Sequence, residues 1–305
     1  MDAELVVDAR NAVGESPVWD AAGQALYWTD IEGRAIWRWD AASGRTRQWA
    51  LAEMAGCIAA HANGGWVAGM ETGVFQLRLQ DQGPVLATPL ARVDHPRPNM
   101  RFNDGRCDRQ GRLRAGTMVM DMAAAQAVGS VYALEADGSL RALLADLLVP
   151  NGMAFSPDGR TMYLSDSHPL SQQVWAFDYD IEIGSPSRRR LLVDMKALPG
   201  RPDGAAVDED GCYWVCGNDA GLVHRFTPEG RLDRSLAVPV RKPAMCAFGG
   251  PALDTLFVTS IRPAGIDLSD QPLAGGLFAL RPGVRGLPEP ACHHPSVFQP
   301  QQRPT

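Results

Sequence analysis

Four oxygen-bearing side chains, Glu15, Asn103, Asn151 and Asp203, each lead a short apolar run in this chain. Two are carboxylates and two are amides. Brought together on a partly buried axis, the carboxylates repel one another and resist desolvation unless a cation sits between them. A divalent metal ion is the economical answer. Carboxylate with amide oxygen suits Ca²⁺, Mg²⁺ or Mn²⁺, with Fe²⁺ and Zn²⁺ also acceptable. Glu15, Asn151 and Asp203 are the candidate ligands of one such ion, leaving positions for water or substrate. Taken singly, Asn151-Gly and Asp203-Gly are also turn dipeptides. Glu15, in Gly-Glu-Ser-Pro, has no such explanation, and the shared register favours the metal.

Arg101 stands two residues before Asn103, and together they present donors and an amide to a polyhydroxylated or anionic ligand. Asp121, in the Met118–Gly129 stretch, reads equally as a binding residue and as an acid at the start of a short helix. His168 reads as a loop residue and not a catalyst, and His293-His294 as solvent-exposed residues of a tail. There is no Gly-x-Ser-x-Gly elbow, no His-Glu-x-x-His, and no lysine in a phosphate-binding loop. Serine-hydrolase, zincin and nucleotide-hydrolysing chemistry therefore lack their usual motifs.

The elements that position these residues repeat. Asn151–Asp166 reads as two short strands joined at Ser156-Pro-Asp-Gly159, where Pro sets φ, Asp bonds its own backbone and Gly takes positive φ. The same arrangement recurs from Glu15, Cys57, Asn103, Asn151, Asp203 and Ala244. Each round holds four short strands, except that the last has three before a Pro-rich tail. The apolar stretch Glu4–Ala9 can supply the missing one. This spacing predicts an all-β, six-bladed β-propeller with four antiparallel strands per blade, its ring closed by the N-terminal strand. A two-sheet sandwich uses far fewer strands than this length provides. One domain spanning 1–305 is expected, with a C-terminal tail from about 284, and Met120–Ala127 as the single helical candidate. In such a meander every first strand starts on the same face, so the leading residues meet near the axis. The Gly56-Cys57 pair and Met245 hold the remaining two leading positions.

Composition narrows the function. The 305 residues are 45% hydrophobic and 21% charged with net charge −6, which fits a globular protein and argues against nucleic acid or an anionic membrane as partner. The N-terminus has acids where a secretory leader is basic, so a cytoplasmic location is expected. The cysteines at 57, 107, 212, 216, 246 and 292 read as free core thiols.

Gly-Glu-Ser-Pro-Val-Trp (14–19), Arg-Phe-Asn-Asp-Gly (101–105), Asn-Gly-Met-Ala-Phe-Ser-Pro-Asp-Gly (151–159), Pro-Asp-Gly (202–204), Cys-Ala-Phe-Gly-Gly (246–250) and Ala-Gly-Gly-Leu-Phe (274–278) resemble the regucalcin / senescence marker protein / gluconolactonase family. The match is collinear over nearly the whole chain. The resemblance implies a six-bladed propeller with one axial divalent metal that hydrolyses sugar-acid lactones. It implies Glu15, Asn151 and Asp203 as metal ligands, and Arg101, Asn103 and Asp121 as contacts to sugar hydroxyls. Around Asp121 the Val-Met-Asp-Met stretch departs from the acid-rich pattern of animal members. The expected reaction is metal-dependent opening of an aldono-lactone such as glucono-, xylono- or arabinono-lactone, with Asp203 as general base. Two attacking species fit, a water activated by Asp203 and a hydroxide on the ion. The alternative is a non-catalytic, regucalcin-like protein that binds calcium or sugar. The expected partner is a small sugar lactone, and the protein a monomer or small homo-oligomer.

Overall fold

In the fourth repeat the chain reverses as its residues dictate. Ser156 Oγ donates to Asp158 Oδ1 (2.6 Å), Arg160 N–H donates to the same oxygen (3.0 Å), and Gly159 takes φ +73°. This turn joins the strands Pro150–Phe155 and Thr161–Asp166. Repeated around the chain, such reversals build six four-stranded antiparallel sheets in a computed structural model describing residues 3–298. The first strands of the six blades are Gly14–Asp20, Ala55–Ala60, Met100–Cys107, Pro150–Phe155, Arg201–Val207 and Pro243–Gly249. Each touches the first strand of the next blade, and the sixth touches the first, so they surround a central axis. The sixth sheet takes its outermost strand from Glu4–Val7, which pairs antiparallel with Leu277–Leu280.

Blades are held together by apolar side chains wedged between neighbouring sheets. Trp19 of the first blade stacks on Phe257 of the sixth at 5.8 Å between centroids, and Trp214 of the fifth meets Phe248 of the sixth edge-on at 6.1 Å. Burying side chains of this size contributes roughly 1.5–3 kcal/mol each. Where strands come closest, only glycine fits: a Cβ on Gly56 would lie 2.3 Å from the carbonyl oxygens of Phe102 and Asn103. All six cysteines are buried and free.

Two details differ from the sequence expectation. The helical candidate at Met120–Ala127 shrinks to one 3-10 turn, Met122–Ala124, and an unanticipated one forms at Met195–Ala197. The tail is also more closely held than its composition suggests. His293 is exposed, but Cys292 is 1% exposed and its N–H donates to Ala60 O at 2.7 Å. Gly286 N–H donates to Leu253 O and His293 N–H to Gly111 O, so the segment crosses the face where the first strands end. There Glu289 pairs with buried Arg106 at 2.7 Å. Long-range main-chain bonds of this kind leave no local pattern to read. No helix among the described residues is long and apolar enough to cross a membrane.

Candidate active site

The site lies at the end of the axis where the first strands begin. Every first strand loses register with its neighbour once, between Glu15/Val18, Ala55/Cys57, Phe102/Gly105, Asn151/Ala154, Pro202/Ala205 and Pro243/Cys246. Such bulges re-aim side chains that strict alternation would send elsewhere. The residues read as leading the strands therefore sit inside them. Glu15 and Asn151 are the last paired residues before the bulge, whereas Asn103 and Asp203 are the first residues within it. The shared register expected from the sequence is thus offset by one residue between these pairs. Positive φ at Ser16 (50°) and Gly152 (57°) marks the bulge beside Glu15 and Asn151.

Asp203 and Asn151 meet directly: Asn151 Nδ2 donates to Asp203 Oδ1 at 2.5 Å. The other oxygen, Oδ2, accepts from Asn218 Nδ2 at 2.6 Å. Asn151 Nδ2 also donates to Ser167 Oγ at 3.2 Å, and Glu15 Oε2 accepts the Ser16 N–H at 3.1 Å. Burial holds the Glu15 carboxyl well above its usual range, with Asp203 and Asp104 adding repulsion against the Ser16 N–H and Arg101. Burial likewise pushes Asp203 up to about 6, opposed by Arg201 and Asn218. Asp104, whose Oδ2 accepts Met153 N–H at 2.7 Å, is raised by burial as well. Three buried carboxylates thus repel one another within the channel.

Arg101 and Asn103 form one unit. Arg101 Nη1 donates to Asn103 Oδ1 at 2.8 Å and to Phe102 O at 2.9 Å, while Asn103 Nδ2 donates to Pro150 O at 3.1 Å. Burial depresses the Arg101 pKa, and Glu15 works against that depression. Asp121 is exposed and caps the turn Met122–Ala124, accepting from Ala123 N–H at 3.1 Å. His168 is buried and its Nε2 bonds Met122 O at 3.0 Å, which ties the Asp121 loop to the fourth blade.

Asn218 was not anticipated. It ends the second strand of its blade, Tyr213–Asn218, where the first and fourth blades end theirs with Asp30 and Asp166. Those acids hold backbone N–H groups of the loop leading into their blade. An amide at the equivalent place of a repeat was the available signal.

Among the described residues no three His, Cys, Asp or Glu side chains cluster as a metal site. The oxygen-bearing side chains at this end are instead mixed: carboxylates of Glu15 and Asp203 with the amide of Asn151, and the amide of Asn218 beside Asp203. Asn218 Oδ1 and Ser165 Oγ are buried without a hydrogen-bond partner. Unpaired oxygens beside mutually repelling carboxylates fit a hard divalent cation.

Comparison with known proteins follows the same lines. Residues 13–262 match the family model for the SMP-30/Gluconolactonase/LRE-like region. Regucalcin of Gallus gallus is 37% identical over 293 residues, 93% of this chain and 96% of that protein. The 6-deoxy-6-sulfogluconolactonase of Pseudomonas putida is 36% identical over 291 residues, 94% of this chain and 97% of that one. The solved structure of a calcium-binding protein, regucalcin, from Agrobacterium tumefaciens superposes with TM-score 0.87 at 28% identity, over 95% of this chain and 97% of that chain.

Proposed function

Because the chain belongs to the SMP-30/gluconolactonase/LRE-like family, we propose that it hydrolyses an aldono-lactone to the aldonic acid at the mouth of its axis. The observation that carries this reading is buried Asp203, gripped by amides from its own and the neighbouring blade, with the carboxyl of Glu15 as its neighbour. The lactonase name of the Pseudomonas relative supports it.

Glu15, Asn151 and Asp203 are the side chains that would hold a divalent ion. Such an ion, when bound, supplies Lewis acidity toward a carbonyl oxygen. Asp203 takes a proton from water as the water oxygen bonds to the lactone carbonyl carbon. The ring C–O bond then breaks, and its oxygen leaves as a hydroxyl by taking that proton back from Asp203, which regenerates the carboxylate. Arg101 and Asn103, already fixed to each other, orient the sugar hydroxyls and so hold the ester in position. Asp121, whose Oδ1 caps the Met122–Ala124 turn, is the third residue proposed to contact sugar hydroxyls.

Acid release from glucono-, xylono- and arabinono-lactone, measured with and without chelator, tests the proposal. Chelation is expected to abolish turnover and lower Tm, with both restored by one of Ca²⁺, Zn²⁺, Mn²⁺, Mg²⁺ or Fe²⁺. An ion at 100 times its Kd stabilises by about 2.7 kcal/mol. Turnover that survives exhaustive chelation would remove the ion from the scheme. Ion binding without acid release from any lactone would favour the non-catalytic reading. We further infer that residues 1–305 are one folding unit whose ring is clasped by the Glu4–Val7 strand. A chain lacking residues up to Val7 should then melt in one transition at lower temperature; an unchanged Tm would refute the clasp.

A further inference from the structure

Among the described residues, a single hydrogen bond joins 121–127 to a segment outside their own loop: His168 Nε2 bonds Met122 O at 3.0 Å. The loop follows the strand Leu113–Val119, whose register sets Met118 opposite Arg101 and Val119 opposite Met100. The Asp121 turn therefore leaves its strand beside the Arg101–Asn103 unit. Within the turn, Ala123 N–H donates to Asp121 Oδ1 and Ala125 N–H to Met122 O, both at 3.1 Å. These bonds shape the turn without fixing its place over the site, and none of 121–127 is buried.

His168, by contrast, is 6% exposed and held from several sides. Its N–H donates to Asp166 Oδ1 at 3.1 Å, and its carbonyl accepts from Ser171 N–H and Gln172 N–H. Leu170 N–H donates to Nδ1 at 3.2 Å. A main-chain N–H only donates, so Nδ1 is the bare nitrogen and the ring proton sits on Nε2, aimed at a carbonyl that only accepts. The preceding residue touches the candidate ion ligands. Ser167 Oγ accepts from Asn151 Nδ2 at 3.2 Å, and Ser167 O from Arg201 Nη1 at 3.1 Å. Two adjacent residues thus join Asn151, the strand Arg201–Val207 that carries Asp203, and the turn that carries Asp121.

We propose that His168 is a positioning residue that sets which hydroxyl pattern the site accepts on a lactone, by fixing the Asp121 turn relative to Asn151 and Asp203. This inference rests on the lactonase reading and deepens it. An ionised carboxylate only accepts hydrogen bonds, so the place of Asp121 decides which hydroxyl is satisfied and which is left unpaired. Sites built to bond a substrate hydroxyl reject a ligand that fails to supply it far more strongly than apolar pockets do. A misplacement of about 1 Å is enough to cost about 10²-fold. The turn has no burial of its own to hold it to that tolerance, so the constraint comes from the histidine.

Kinetics on xylono- and arabinono-lactone, which differ only in hydroxyl stereochemistry, test this with two variants of the full chain. His168→Asn keeps an acceptor for Leu170 N–H but is too short to reach Met122 O, whereas His168→Gln carries a donor amide near the Nε2 position. His168→Asn is expected to raise KM for the preferred lactone about tenfold with kcat changed less than about threefold, and to narrow the kcat/KM ratio of the pair about tenfold. His168→Gln should restore most of both. Asp121→Asn should give the same losses, and adding His168→Asn to it should cost no more than about twofold further. Amide exchange over 121–127, which needs no turnover, should speed several-fold in His168→Asn and not in His168→Gln. No acid release by the wild-type chain would defeat the lactonase reading and this role with it. Acid release with either the ratio or the loop exchange unmoved in His168→Asn would overturn this inference alone. So would equal losses in both His168 variants that track Tm, or losses additive with Asp121→Asn.

Discussion

Asp203→Asn is expected to lower kcat/KM on aldono-lactones by about 10²–10⁴-fold, the range that general acid–base groups supply. The substitution keeps side-chain volume and removes only the charge and the proton acceptor. Asn151 and Asn218 each donate to one oxygen of this carboxylate, so one of them would face an amide donor in the variant. Burial already disfavours the charge, and Asp104 adds to that. The ion-free protein should therefore lose little stability, and the fall in turnover should come without a matching fall in Tm. Parallel measurements of kcat/KM and Tm on chelated and ion-loaded protein separate the two effects. Full turnover in the variant would reject Asp203 as base and ligand, while equal loss of activity and fold would reduce it to a structural residue.

Asp208→Ala is expected to cost about 3–5 kcal/mol of folding stability, read from the denaturant midpoint. Asp208 is 0% exposed and directly follows the first strand of the fifth blade, Arg201–Val207, on the far face. Its Oδ1 accepts the N–H groups of Asp210 (3.0 Å) and Cys212 (2.9 Å), which shapes the turn. Its Oδ2 accepts from Trp214 Nε1 and Arg225 Nε, both at 2.8 Å. Alanine would leave the indole N–H and part of a buried guanidinium without partners, which costs more than the lost bonds themselves. Asp208→Asn, retaining an acceptor, should recover part of the loss. A cost below about 1 kcal/mol would mean that Asp210 and Asp233 neutralise Arg225 unaided, as their contacts of 2.9 and 3.0 Å permit.

Much of the fold was legible because its signals are short. The Ser156-Pro-Asp-Gly159 turn, the recurring runs of strand residues and the three-strand sixth round all follow from spacing over a few tens of residues. The site was legible one level more coarsely. Glu15, Asn103, Asn151 and Asp203 were recognised as a set, and Asn151 does touch Asp203. The resemblance implies Asp121 as a substrate contact, and in this structure its side chain also makes the cap on Ala123 N–H that an acid before a short helix suggests. Asn218 went unread because an amide at the end of a strand has no motif of its own.

The sequence by itself determined the number of blades, the strands within each and the end of the axis at which Glu15, Asn103, Asn151 and Asp203 gather. These depend on turn chemistry and on alternation, both written locally. Only the tertiary structure decided which residue of each leading stretch faces inward, since a bulge changes the parity of a strand and is visible only against its neighbour. It alone also brought Glu289 under Arg106 and set Arg38 and Arg47 against the second blade. Contacts between different blades arise from the way the sheets pack around the axis, and no local spacing in the sequence encodes them.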